Sequence, residues 1–217
     1  LFTVSAHAAE LVGKFSAIEG RVEVMRDGKF PAVIVGIGTP VFANDIIKTK
    51  SDSKAEITFY DGNIIRVAQR SRINIGEYAT GSKGVISMPE GKVEAVVPKQ
   101  IAKRIAASPD GNRFEIRTPA SVAGVRGTDF FKSHYGKVSE VAVKEGEVVV
   151  YNPEFPDTVV IVTAGNMTVV EENTKPTAPK PVPPERMKEY EKDVSSEKKS
   201  ETSKGQQDLK KFIGCSI

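Results

Sequence analysis

The sequence predicts an all-β protein, folded as a β-sandwich or an irregular β-solenoid of many short strands. Between Leu11 and Glu172, short runs of alternating apolar and polar residues are separated by turn residues about every 8–12 positions, which is typical of such folds. The 18 glycines and 13 prolines supply the turns, and 39% of the 217 residues are hydrophobic, enough for the core of one medium domain or two small ones. One short helix and a Pro/Lys-rich, partly helical C-terminal tail complete the predicted fold.

The predicted strands are marked by alternation and by Asp-Gly turns. Arg21–Met25 alternates and stops at Asp27-Gly28, whereas Lys54–Phe59 stops at Asp61-Gly62 and alternation resumes at Ile64–Val67. Asp-Gly between two such runs favours a hairpin, because both residues tolerate positive φ. The later predicted strands are Arg113–Arg117, Gly127–His134, Val138–Lys144, Glu147–Tyr151, Thr158–Thr163 and Met167–Glu171.

The one helix predicted within the body is Lys99–Ala107. Ile101 and Ile105 lie one helical turn apart in this segment, and Pro109-Asp110-Gly111 ends the helical pattern.

The chain divides into four segments by composition. Residues 1–8 resemble the end of a secretory signal peptide, with the small residues Ala6 and Ala8 at the −3 and −1 positions that signal peptidase tolerates, so we expect export. Residues 9–172 form the β domain. Residues 173–184 form a stiff, Pro-rich linker, and residues 185–217 form a charged tail that is partly helical or disordered.

Two interpretations of the tail are open. Met187, Tyr190 and Val194 lie at helical spacing and would form the narrow apolar stripe of a docking helix. Glu185 and Glu189, however, are four residues apart and repel each other, so pairing along a helix is weak. The sequence therefore favours a solvated tail over a docking helix. Such a tail could contact the cell wall or a membrane surface.

Composition excludes several classes of protein. A net charge of +3 is too small for the basic face of a nucleic-acid-binding protein, and no apolar run approaches the roughly 20 residues of a membrane-spanning helix. The single cysteine excludes a disulfide within the chain. His134 is predicted to be an ordinary strand-end histidine, and we expect no catalytic residue, metal site or cofactor. A pair of carboxylates far apart in the sequence stays open as the basis of a carbohydrate-active enzyme.

A small repeat opens three strands. Glu19-Gly20, Glu90-Gly91 and Glu145-Gly146 each precede an alternating run, at intervals of 71 and 55 residues. Because the intervals differ, they do not define a regular solenoid period. Two explanations are open: one structural unit used several times, or separate local turns in which glycine suits the start of a strand.

The segment Arg117–Phe130 is the most specific in the chain, with the sequence Arg-Thr-Pro-Ala-Ser-Val-Ala-Gly-Val-Arg-Gly-Thr-Asp-Phe. Pro119 has no N–H to donate and restricts Thr118 to an extended conformation. Gly124 and Gly127 permit a sharp corner with close approach of the backbone. We call this segment the signature block.

Arg126 and Asp129 are the charged pair within the signature block. They are three residues apart, so the guanidinium can fold back onto the carboxylate or onto nearby carbonyls. Two roles are open for Arg126, Gly127, Thr128 and Asp129: contact with a partner, or a corner that organises the β core. The sequence favours the corner.

These residues closely resemble the FecR domain family. Its most specific mark is an Arg-Thr-Pro … Val-Arg-Gly-Thr-x-Phe block, which the signature block matches. The other family motifs occur in the family's order across about residues 11–172, namely Gly20–Val24, Asn44–Thr49, Asp61-Gly62, Ser71–Ile75, Val143–Val150 and Ala164-Gly165. The resemblance gives the signature residues, structural or partner-binding, as Asp61, Gly62, Arg117, Thr118, Pro119, Gly124, Val125, Arg126, Gly127, Thr128, Asp129 and Phe130.

The resemblance implies a non-catalytic β domain that is periplasmic or secreted. The best-known members sense an outer-membrane iron-siderophore receptor and relay its state through a membrane helix to a cytoplasmic sigma factor. This sequence has neither that helix nor a sigma-binding region, so we do not expect direct control of a sigma factor. We expect binding or sensing of a protein partner of the cell envelope. The alternatives are a structural envelope or cell-wall-associated protein and, less favoured, a carbohydrate-active enzyme.

Overall fold

The computed structural model describes residues 10–78, 84–98, 114–125 and 127–196. The predicted signal remnant at residues 1–8, the predicted helix Lys99–Ala107, Arg126 and the tail from residue 197 lie outside the described residues.

The described residues form seventeen strands in two sheets that share one long strand. Sheet A contains, in spatial order, β4 (Pro40–Phe42), β1 (Leu11–Glu19), β6 (Lys54–Phe59), β7 (Ile64–Val67), the second half of β9 (Gly84–Val96), β12 (Asp129–Tyr135), β13 (Val138–Glu145), β16 (Asn166–Glu171) and β17 (Lys180–Pro181). Sheet B contains β3 (Val33–Ile34), β2 (Val22–Met25), β5 (Ile46–Thr49), β8 (Arg72–Tyr78), the first half of β9, β10 (Phe114–Arg117), β11 (Val122–Val125), β14 (Glu147–Tyr151) and β15 (Val159–Thr163).

The long strand β9 changes sheets at Glu90-Gly91. Before this point it pairs with β8 and, in parallel, with β10; after it, β9 pairs with β7 and β12. The other strand pairs among the described residues are antiparallel. Sharing β9 makes one continuous hydrogen-bonded structure from the two halves of the chain.

The core lies between the two sheets, because each strand turns its apolar residues inwards. Ala55, Ile57 and Phe59 on β6 are buried against Ile73 and Ile75 on β8, in one cluster with residues of most other strands. Burying each large apolar side chain contributes roughly 1.5–3 kcal/mol. The all-β prediction is confirmed, and of its two forms the structure is the sandwich.

The Asp61-Gly62 turn connects β6 and β7 as the sequence predicts, with Thr58 opposite Ile64 in an antiparallel pair. The Asp61 carboxylate accepts the backbone N–H of Asn63 at 3.0 Å and the hydroxyl of Tyr78 at 2.6 Å. The turn is thereby tied to the core.

The three Glu-Gly pairs mark the places where the chain passes from one sheet to the other. Glu19-Gly20 joins β1 of sheet A to β2 of sheet B, Glu90-Gly91 lies at the change within β9, and Glu145-Gly146 joins β13 to β14. The repeat is therefore one structural unit used three times. We call these places the sheet-crossing corners.

Each corner glycine packs against a second segment that also crosses between the sheets. A Cβ on Gly20, Gly91 or Gly146 would come within 3 Å of Ser53, Ser71 or Thr128, respectively, and all three glycines have positive φ. The residue before each of these hydroxyl residues also has positive φ, at Asp52, Arg70 and Gly127. Glycine is required at the corners because both the backbone conformation and the space exclude a side chain.

Residues after the β domain pack onto the outer face of sheet A. The helix α1 (Pro184–Val194) buries Tyr190 and Val194, and the Tyr190 ring stacks on Phe131 with 5.2 Å between the ring centroids. Lys54 Nζ donates to the backbone oxygens of Lys192 and Ser195 at the C-terminal end of α1. The favoured interpretation of a solvated tail is wrong for this segment, which is the docking helix.

The reason for this difference is that the charges of α1 pair with the sheet and not with one another. Glu140 on β13 accepts hydrogen bonds from Arg186 and from the Tyr190 hydroxyl, and the buried Lys92 on β9 contacts Asp193. These partners cannot be identified from spacing along the helix.

Candidate functional site

The signature block connects the two sheets. It begins at the end of β10, turns through residues 118–121, continues as β11 in sheet B, and crosses at Gly127-Thr128 into β12 of sheet A. Val125 and Phe130 are buried in the core, and Gly124 lies opposite Glu115 in the β10–β11 register. The block therefore includes a hairpin turn and one of the three sheet-crossing corners.

The hairpin turn is held by buried hydroxyl groups. The Thr118 N–H donates to the Ser121 carbonyl at 2.8 Å, and Pro119 occupies the turn where no N–H is needed. The Thr118 hydroxyl lies 3.1 Å from the Ser121 hydroxyl and 2.8 Å from that of Ser139 on β13. These bonds tie the turn of sheet B to the inner face of sheet A.

Lys132 provides the second connection between this turn and sheet A. Its side chain is fully buried, and Nζ donates to the carbonyl oxygens of Ile116 at 2.8 Å and Ser121 at 3.0 Å. Loss of hydration lowers the pKa of Lys132 well below its usual value, an effect that Glu115 opposes. Lys132 was not predicted from the sequence. Its place two residues after Phe130, on the same inward-facing side of the strand, was a signal that could have identified it.

His134 belongs to the same buried network. Its Nδ1 lies 2.9 Å from the Ser139 hydroxyl, and burial lowers the pKa of the imidazole. Thr118, Ser139 and His134 thus form a continuous hydrogen-bonded chain across the core. The arrangement fixes the distance between the sheets, and its members are buried away from solvent.

Asp129 lies on the outer face of sheet A, in a network of alternating charges. Its carboxylate is 3.2 Å from Lys144 Nζ, which also contacts Glu94 at 3.0 Å, and Glu94 in turn pairs with Arg66 at 2.6 Å. Burial, followed by the neighbouring Glu94 carboxylate, raises the pKa of Asp129 to about 6. Arg126, the partner predicted for Asp129, lies outside the described residues, and the sequence did not identify Lys144.

The carboxylates of Glu94 and Asp129 are the closest match to a pair of catalytic acids. They share the Lys144 ammonium, which lies 3.0 Å from Glu94 and 3.2 Å from Asp129. Glycosidases leave room between their two carboxyl groups for the sugar or for water, whereas here the ammonium bridges the two carboxylates. The geometry is thus typical of an ionic network that holds strands together.

An open groove lies beside the signature block on the outer face of sheet B. It has a volume of about 310 Å³, and Arg117, Thr118 and Pro119 form one wall. Arg72 and Asn74 on β8 form part of the other side. Asp61 and Gly62 are not part of this groove. The Asp61 carboxylate accepts a hydrogen bond from the Tyr78 hydroxyl, and the Tyr78 ring packs edge-on against Phe114 at the start of β10, the strand that leads into the signature block.

The part of the chain that the structure describes contains no group of three or more His, Cys, Asp or Glu side chains placed to hold a metal ion. No helix among them is long and apolar enough to span a membrane.

The fold and the signature block define a β-sandwich domain whose two sheets are connected through corners at which a glycine packs against a serine or threonine. The family model described as FecR protein matches residues 45–149, so this part of the chain is a FecR domain. The resemblance seen in the sequence motifs is confirmed.

Solved structures share this fold. Two crystal structures of a "putative anti-sigma factor" from Parabacteroides distasonis ATCC 8503, at 2.50 and 1.65 Å resolution, each superpose with a TM-score of 0.53 and 19% sequence identity. The match covers 66% of this chain and 62% of the Parabacteroides protein. At this identity the likeness concerns the fold. No curated protein matches the sequence.

Proposed function

We propose that this chain is a non-catalytic regulatory protein of the cell envelope, which binds or senses a protein partner through its FecR domain. The observation that carries the proposal is the FecR match over residues 45–149, together with the sandwich shared with the Parabacteroides protein. The proposal includes a periplasmic or secreted location and a role in signalling related to iron-siderophore uptake.

The distribution of the charged and polar groups supports a binding role. The buried Thr118–Ser139–His134 chain and Lys132 are enclosed in the core, where a substrate could not reach them. The groove beside Arg117 is instead open to solvent. A rigid sandwich with an open polar groove is suited to recognition of a partner surface.

The test is affinity capture with the tagged full-length chain from separate envelope and cytosolic fractions of the source cells. Its matched comparison is a chain that ends at Ser196, because this chain keeps α1 on the sheet and removes only the tail. We expect both chains to recover the same envelope protein, identified by mass spectrometry. Recovery by the full-length chain alone would assign the function to the tail, and no specific recovery from the envelope fraction would contradict the proposal.

A further inference from the structure

The groove on the outer face of sheet B is formed by three neighbouring strands. Arg72 and Asn74 lie on β8, Ser87 and Pro89 on β9, and Arg117 at the end of β10. Asn74 is opposite Ser87 in the β8–β9 register, and Ser87 is opposite Arg117 in the β9–β10 register. The two guanidinium groups therefore stand on opposite sides of a strip formed by small and polar residues.

The groove carries an excess of positive charge. Arg117 pairs with Glu115 at 2.7 Å but keeps 44% of its side chain exposed, whereas Arg72 is exposed and has no ion pair with another described residue. Lys48 is opposite Arg72 on the adjacent strand β5 and adds a third cation to the same row. Glu90 on β9 is opposite Arg72 in the register but is not among the residues that line the groove. An acidic group entering the groove would meet Arg72 and the exposed part of Arg117, whose neighbour Glu115 is already paired.

Asn74 contributes an unused hydrogen-bonding atom. Its Oδ1 is buried and has no hydrogen-bond partner among the described residues. A ligand N–H would supply the donor that this acceptor lacks. A side-chain amide presents an acceptor and a donor side by side, which matches the N–H and C=O of an extended peptide.

Part of the groove lining is apolar. Pro89 and Pro119 line the groove beside the polar residues, whereas Met88 belongs to the core beneath the sheet. Prolines offer no N–H, so they contact apolar groups of a ligand between the charged positions. A nucleic acid would instead need a broad basic surface, and the net charge of the chain is only +3.

We propose that this groove binds an extended acidic peptide segment of a protein partner. A carboxylate of the peptide lies between Arg72 and Arg117, and its backbone amide bonds to Asn74. The inference rests on the proposed function and adds to it the place and the chemistry of binding. Arg117, the first residue of the signature block, then has a recognition role beside the structural role of the residues that follow it.

The test uses the full-length protein and a fluorescein-labelled octapeptide, Glu-Ser-Glu-Val-Glu-Ser-Glu-Val, with fluorescence anisotropy as the readout. We expect Arg72→Gln and Arg117→Gln each to weaken binding about tenfold, since charge-assisted hydrogen bonds are lost. The matched control is Arg21→Gln, because Arg21 is an exposed arginine paired with a glutamate two residues away, as Arg117 is. The same peptide with glutamine in place of glutamate is expected to bind at least tenfold more weakly.

Three outcomes would overturn the inference. They are no binding of the acidic peptide, equal loss of binding in Arg21→Gln, and displacement of the peptide by an equal concentration of a single-stranded DNA octamer. Thermal melting of each variant shows whether it is folded. If Arg72→Gln and Arg117→Gln still capture the envelope partner, the groove is excluded but the proposed function stands; if the native chain captures none, the proposed function fails by itself.

Discussion

At the scale of single residues, the signature corner depends on polar groups that are buried without access to bulk water. Thr118 connects the turn to Ser139, and Lys132 holds two carbonyl oxygens from across the core. Buried hydrogen bonds contribute about 1 kcal/mol each when made, but leaving a partner unsatisfied costs about 1–3 kcal/mol. The polar network therefore stabilises one arrangement of the two sheets against others.

Thr118→Val removes the hydroxyl and keeps the shape of the side chain. We expect the free energy of unfolding to fall by about 1–3 kcal/mol, because Ser121 and Ser139 lose a buried partner. Chemical denaturation measures the change. Thr163→Val on the exposed strand β15 is the control and should change stability by less than about 0.5 kcal/mol; an equal effect of the two substitutions would contradict the role of Thr118.

Asp129 predicts a dependence of stability on pH. Its pKa is about 6 in the folded chain and 3.8 in the reference state, so between these values the folded state holds a proton that the unfolded state has lost. The contribution of Asp129 to the free energy of unfolding therefore falls as the pH rises from about 4 to about 6. When the free energy of unfolding is measured by urea denaturation across this range, it should fall less steeply with pH for Asp129→Asn than for the native chain.

The control for this experiment is Asp157→Asn, which removes an exposed carboxylate from the loop before β15. Its slope should equal that of the native chain. A slope for Asp129→Asn that is indistinguishable from the native one would mean that Asp129 ionises alike in the folded and unfolded states.

At the scale of the element, the sheet-crossing corners and the docked helix decide how the strands are assembled. In each corner, a glycine with positive φ lies against a serine or threonine that begins another strand. At two of the corners the residue after the glycine also donates its N–H to the serine hydroxyl, from Arg21 to Ser53 at 2.8 Å and from Lys92 to Ser71 at 3.0 Å. The corners therefore fix the angle at which strands pass from one sheet to the other.

Gly146→Ala tests the close approach at the third corner. A Cβ there would lie 2.7 Å from Thr128 Cγ2 and 2.8 Å from the Gly127 carbonyl oxygen, and φ is +83°. We expect a loss of more than about 2 kcal/mol in thermal or chemical unfolding. Gly136→Ala is the matched control, because φ is also positive but no atom lies within 4 Å of the added Cβ; it should lose about 1 kcal/mol.

Tyr190→Ala tests the docking of α1. The substitution removes the ring that stacks on Phe131 and the hydroxyl that donates to Glu140, so we expect about 2–4 kcal/mol less stability. Limited proteolysis and amide hydrogen exchange should show earlier opening of α1 than of the strands. Lys188→Ala, on the exposed side of the same helix, should leave both measurements nearly unchanged; a similar response of the two variants would contradict docking through Tyr190.

At the scale of the whole molecule, the sandwich continues through both halves of the chain because β9 belongs to both sheets. The hydrophobic cluster between the sheets includes residues from β1 to β16. A second cluster, formed by α1 with Phe131, Ala142 and Met167, covers part of the outer face of sheet A. The C-terminal segment up to residue 196 is thus packed against the FecR domain rather than separated from it by a free spacer.

Several features could be predicted from the sequence because they depend on neighbouring residues. Alternation identified nine of the seventeen described strands within one or two residues, as at Lys54–Phe59, and Asp61-Gly62 identified its hairpin. The strands that it did not identify include β1, β8 and the shared strand β9. The Glu-Gly pairs were recognised as a repeat, but their common role was not, since the serine or threonine that each glycine contacts lies 18–33 residues away. The candidate site was found only in part: Arg117 and Thr118 were named, whereas Lys132, Arg72 and Asn74 were not.

The sequence by itself determined about half of the strand positions, the turn residues and the family, because backbone preference and side-chain alternation act between residues that are adjacent in the chain. The tertiary structure alone decided that α1 docks, that Asp129 faces Lys144 and that Arg72 and Arg117 share a groove. These outcomes depend on groups brought together from distant positions, as when Lys54 reaches the end of α1 across 138 residues of sequence. Charge partners and grooves exist only after the sheets have formed, so the spacing of residues in the sequence does not predict them.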